Sequence, residues 1–185
     1  MTLHGFFLFL SFFLMIQGCA TSPPPRADSP LVPLAKANLE AVLEEHEGLE
    51  IVWEDAKEVR DFYRGGVQQK AKAENTYREK SYPEALKFYD KSQEFFLVVL
   101  EYVNYDSCEF MLFEGTQILF LPNLLLADNY LKTGQILKEM GRESSAQRKW
   151  KSGLRYIQQS LSCERTEWGL AIEQEIKSLL QSSKH

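Results

Sequence analysis

Three cysteines and three histidines carry most of the reactive chemistry that this 185-residue chain has to offer. Cys108 and Cys163 each stand in a Ser-Cys-Glu triplet, and each follows a segment that reads as the second helix of a pair. Two fates suit them. A disulfide between them would stabilise by roughly 4 kcal/mol in the chain-entropy view. Alternatively, both stay as buried thiols that pack like small apolar residues. Spacing leaves both open, because the Cα separation decides. No metal is expected, since there is no CxxC and no paired histidine. His4 and His185 sit near the two ends, and His46 lies between Glu45 and Glu47, as a solvated side chain would. No GxSxG, HExxH, Walker loop or GxGxxG occurs. Glu164 and Glu167 are one helical turn apart, but among Glu, Lys and Gln such a pair reads as a wet helix face. The expectation is a protein with no catalytic residues and no cofactor.

Cys19 has a different setting. Residues 6 to 16 read Phe-Phe-Leu-Phe-Leu-Ser-Phe-Phe-Leu-Met-Ile, and no Lys, Arg, Asp or Glu precedes Arg26. This run is too short for a bilayer span, which takes about 20 residues, and it fits the apolar part of a secretory signal. It leads into Ile16-Gln17-Gly18-Cys19-Ala20. That order resembles the lipobox of bacterial lipoproteins, with an aliphatic residue three before a cysteine and a small residue just before it. Gln17 is bulkier than the usual residue, and the first five positions lack Lys and Arg. The resemblance implies that the Cys19 sulfur receives a diacylglycerol, that the chain is cut before it, and that the new amine is acylated. Ala20, rather than Asp, resembles the sorting signal for the outer membrane. The implied location is lipid-anchored and facing the periplasm.

The elements that must position the remaining residues are helices. Residues 1–18 read as the signal and 19–33 as a Pro/Ser-rich tether, extended at about 3.1 Å per residue. Residues 34–185 read as one helical domain. Leu31, Leu34, Ala35, Leu39, Val42 and Leu43 recur at steps of three and four, as on one helix face. A second face, Ile51 to Tyr63, is expected to stop at Gly65-Gly66. Later boundaries are expected near Ser81, Pro83, Gly141 and Ser162-Cys163, with Pro122 opening a helix. No hairpin signal for strands appears, so the fold class is all-α.

Tyr82, Ala85, Tyr89 and Ser92 form an aromatic–small–aromatic–small series. It resembles a tetratricopeptide repeat, a 34-residue helix–turn–helix unit. Gly134, Gly141, Ala146, Trp150 and Gly153 resemble a second copy, with Glu143 in place of the turn aromatic. Ala85 and Ala146 are 61 residues apart, so the copies are divergent or separated by an inserted helix around Phe110 to Leu121. The resemblance implies antiparallel helical hairpins in a right-handed stack. Residues 34 to 64 would cap one end and Glu164 to Leu180 the other. It also implies that Lys70, Glu74, Tyr77 and Arg78, with Asp128, Leu131, Gln135 and Lys138, line the concave face as partner-binding positions. Ordinary solvated residues would look the same.

Charge narrows the partner. The net charge of −5 speaks against a nucleic-acid ligand, which needs a positive field. Residues 36–64 hold nine acids and four bases, whereas 65–185 hold sixteen of each. The acidity therefore belongs to the segment after the tether. The expected function is a membrane-anchored scaffold or assembly adaptor for a protein of the cell envelope. The alternative is a lipid- or small-ligand-binding module built on Ile118 to Ala127, the most apolar part of the mature chain.

Overall fold

The computed structural model describes residues 56–101, 122–163 and 165–183. Within them the backbone forms five α-helices and no strand: α1 (Ala56–Arg78), α2 (Tyr82–Glu101), α3 (Pro122–Glu139), α4 (Glu143–Cys163) and α5 (Glu167–Ser182). The all-α expectation holds for these residues. The signal, the tether, Cys19, Cys108, the helix expected before residue 55 and the apolar stretch 102–121 lie outside them.

Two turns have the same construction. After α1, Lys80 adopts φ 61, its N–H donates to the Tyr77 carbonyl at 2.9 Å, and Ser81 N–H donates to the Thr76 carbonyl at 2.9 Å. After α3, Gly141 adopts φ 73, its N–H donates to the Lys138 carbonyl at 2.9 Å, and Arg142 N–H reaches the Leu137 carbonyl at 2.8 Å. Both are left-handed caps that satisfy the last helical carbonyls and turn the chain sharply. Glycine takes this conformation freely, whereas Lys80 takes it at a steric cost.

The tight turns lay each helix back on its predecessor. Contacts between α1 and α2 run in reverse order, from Tyr77 with Tyr82, through Lys70 with Tyr89, to Gly66 with Ser92. Between α3 and α4 they run from Gly134 with Trp150 to Tyr130 with Tyr156. Ala85, Tyr89, Ser92, Ala146 and Trp150 are fully buried, and Gly153 is buried against Tyr130 and Ile176. A Cβ on Gly134 would come within van der Waals overlap of the Trp150 ring, whose Nε1 donates to the Leu131 carbonyl at 3.3 Å. Tyr82 is half-buried at the turn.

One expected boundary is corrected. Gly65-Gly66 does not stop a helix; α1 runs through it to Arg78. An added Cβ on Gly65 would lie 2.9 Å from the Phe95 ring, and one on Gly66 would lie 2.7 Å from the Phe96 ring. These glycines let α2 come close, and helix packing offsets their weak helix propensity.

The second half builds the larger core. Pro122 opens α3, and every residue from 122 to 129 is buried. Leu124, Leu125, Leu126, Trp150, Ile157, Leu161 and Ile176 share one apolar cluster. Ala73, Ala85, Tyr89 and Ile136 form a smaller one. α5 starts on Thr166, whose hydroxyl accepts from Gly169 N–H at 3.0 Å, and it buries Trp168, Ile172 and Ile176. Its far end is tied to α4: Ser183 Oγ donates to Glu143 Oε1 at 2.7 Å, and Gln147 Nε2 donates to the Ser183 carbonyl at 3.2 Å. Among the described residues, no helix is long and apolar enough to cross a membrane.

Candidate functional site

Successive turns of α1 place Lys70, Glu74 and Tyr77 on one side of the helix, as steps of four and three must. The matching turns of α3 carry Asp128, Leu131, Gln135 and Lys138. The structure splits these eight residues into a buried set and an exposed one. Lys70, Glu74, Asp128 and Leu131 are buried, with Lys70 only 3% and Asp128 2% accessible. Gln135 and Tyr77 are half-buried, and Arg78 and Lys138 are exposed. An open concave face made of all eight is therefore not what the helices form.

The buried set is an ionic cluster. Lys70 Nζ donates to Glu74 Oε1 at 2.7 Å within α1 and to Asp128 Oδ2 at 2.5 Å across to α3. Burial alone would lower the Lys70 pKa, but the Asp128 and Glu74 carboxylates more than offset it and hold it above the ordinary lysine range. Lys70 thus stays an ammonium and is unsuited to act as a nucleophile. The Tyr89 ring packs 5.8 Å from Lys70 Nζ. The Tyr89 hydroxyl is buried without a hydrogen-bond partner, and burial, eased by the Lys70 charge, raises its pKa.

Polar contacts continue from this cluster along the seam between α2 and the second helix pair. Ser92 Oγ donates to the Gly66 carbonyl at 2.7 Å and accepts from Asn129 Nδ2 at 2.8 Å. Gln93 Nε2 donates to Thr133 Oγ1 at 3.0 Å. Lys149 Nζ reaches Asp90 at 3.0 Å and Gln93 Oε1 at 3.3 Å. The chemistry is positional: these pairs fix α2 against the second helix pair, while the Asn129 Oδ1 is buried without a hydrogen-bond partner.

The exposed set gathers residues from four helices. Tyr77 Oη donates to Glu139 Oε1 at 3.2 Å, and the Tyr77 and Tyr82 rings lie 5.9 Å apart. Gln135 Nε2 donates to Glu175 Oε1 at 2.5 Å, bringing α5 to the same place. Partial burial, then the Glu139 and Glu175 charges, raise the Tyr77 pKa. Nothing in the local sequence marks Glu139 or Glu175 as part of this group, and the aromatic–small spacing marks Tyr82 as a packing residue alone. The signal available for Glu175 was its position on a helix expected to cap the stack.

The two cysteines separate. Cys163, at the end of α4, is disulfide-bonded, and its partner lies outside the described residues. Glu167 is exposed at the start of α5, while Glu164 is outside the description. No group of three or more His, Cys, Asp or Glu among the described residues is arranged to hold a metal ion. Of the apolar segment 118–127, the described part from Pro122 is core. Compared with known proteins, the chain matches no family model, no curated protein and no solved structure.

Proposed function

We propose that this chain is a lipid-anchored, tetratricopeptide-like lipoprotein that serves as a protein-interaction scaffold or assembly adaptor in the cell envelope. In this reading Cys19 carries the lipid, the outer membrane holds it, and the helical body faces the periplasm. The helices act as antiparallel hairpins, two related pairs followed by a capping α5.

One observation carries the reading. The second helix pair repeats the first at a constant offset of 61 residues: Ala85 and Ala146, Tyr89 and Trp150, Ser92 and Gly153, and the two left-handed caps at Lys80 and Gly141. Stacked helical pairs of this kind present side chains from the first helix of each pair along one side, and here Tyr77, Gln135 and Glu175 come together there. The Cys163 disulfide supports an oxidising compartment, where such bonds persist. The lipid-pocket alternative loses ground, because Leu124 to Ala127 are spent on core packing.

Two measurements test it. Metabolic labelling with an alkyne fatty acid should mark the wild-type chain and not Cys19→Ser. Crosslinking in intact envelopes, followed by purification of the tethered chain, should recover a defined protein partner. Recovery of a lipid and no protein would overturn the scaffold reading.

A further inference from the structure

Tyr77, Tyr82, Glu139 and Glu175 meet on the exposed side of α1, α3 and α5, with Tyr82 at the start of α2. Two tyrosine rings stand 5.9 Å apart, and one carboxylate, Glu139, takes a hydrogen bond from Tyr77. A second carboxylate, Glu175, is held by Gln135. Neither carboxylate is ion-paired to a described cation. The neighbouring cations have other contacts: Arg78 with Asn75 and, at 3.9 Å, Glu74; Lys132 with Gln135; Lys138 over the Trp150 ring.

Unpaired carboxylates beside aromatic faces are what a cation prefers, since charge attraction and the ring quadrupole act together. A lysine or arginine side chain also brings several N–H donors and no acceptor, which matches a place lined by carboxylate and hydroxyl oxygens. We infer that this aromatic–acidic cradle is the docking point for a basic side chain on a segment of the partner protein. The inference rests on the scaffold reading and sharpens it: the partner contributes Arg or Lys, not an acidic motif. Rim charges of this kind set specificity and encounter rate, so binding should weaken as salt rises.

The test selects a random 12-residue phage-displayed peptide library on the full-length chain in detergent, then measures the selected peptides in solution. The expected result is a shared Arg or Lys position. Replacing that Arg by citrulline, which keeps the shape and removes the charge, should weaken binding about tenfold. The double variant Glu139→Gln, Glu175→Gln should bind the two peptides alike, with an unchanged melting midpoint because both sites are exposed. Selected peptides without a basic preference, or a preference that survives in the double variant, would overturn this inference and leave the scaffold reading standing. Retention of no peptide by the folded chain would overturn both. Spermidine binding as tightly as the arginine peptide would reassign the cradle to a small cation and overturn the docking role.

Discussion

At the scale of single residues, Lys70 shows what sequence alone conceals. Its neighbours on α1 suggest a mixed-charge, solvated face, and its main partner, Asp128, is 58 positions away. Only folding makes the pair. A lysine held by two carboxylates in a dry interior is destabilising when broken and nearly neutral when replaced whole. Lys70→Met should therefore cost about 3–5 kcal/mol, because Glu74 and Asp128 lose the buried ammonium that bridges them. The deficit should shrink as pH falls, since protonation of either carboxyl lowers the negative charge that the ammonium balanced. The triple variant Lys70→Met, Glu74→Gln, Asp128→Leu should return to within about 2 kcal/mol of the parent. Urea midpoints of the three proteins decide the matter. Equal losses in the single and triple variants would show that the cluster stabilises through packing and not through charge pairing.

At the scale of elements, local signals were legible and ambiguous ones were not. Pro122 and Gly141 mark boundaries for reasons that act within one turn: a missing N–H suits a helix start, and a left-handed cap suits glycine. Gly65 and Gly66 carry the same letters as a stop but serve a long-range purpose, close approach of Phe95 and Phe96. Nothing within α1 distinguishes the two uses. Gly66→Ala tests this directly. Helix propensity alone would favour alanine by up to about 1 kcal/mol, whereas overpacking against the fully buried Phe96 should cost about 1–3 kcal/mol. A net loss is expected, recovered in part by Phe96→Leu, as read from thermal melting midpoints. The caps make an opposite pair. Lys80→Gly should stabilise by up to about 1 kcal/mol by removing the Cβ from a left-handed position, and Gly141→Ala should destabilise by about 1–2 kcal/mol. No atom lies within 4 Å of a Cβ on Gly141, so that loss would measure backbone strain and not crowding.

At the scale of the whole molecule, the aromatic–small spacing made the two helix pairs legible, because tight packing needs those sizes at those steps. The convergence of α1, α3 and α5 on Tyr77 was hidden, since it depends on how the pairs and the last helix sit together. The same assembly sets the response to pH. Burial raises the Tyr63 and Tyr89 hydroxyls above the ordinary tyrosine value of 10.0. The carboxylates hold Lys70 above the ordinary lysine value of 10.5 despite its burial. In all three cases the folded chain binds the proton more tightly than the unfolded chain does. Their contribution is thus complete below about pH 10 and is lost as pH rises from there through the folded-state values. Each group adds at most about 1.4 kcal/mol per pH unit, so the three together give a slope near 4 kcal/mol per unit. A domain with about 5–15 kcal/mol in hand cannot withstand that for long. Urea midpoints should show no loss from these three groups between pH 7 and 9, then fall steeply above pH 10.5. Tyrosinate absorbance should appear in two stages, with Tyr63 and Tyr89 ionising only as the chain unfolds. The triple variant that removes Lys70 should lose about a third of the slope and keep the late tyrosine stage. A midpoint that held steady to pH 11.5, with all eight tyrosines titrating together, would mean that these groups meet water in the folded protein.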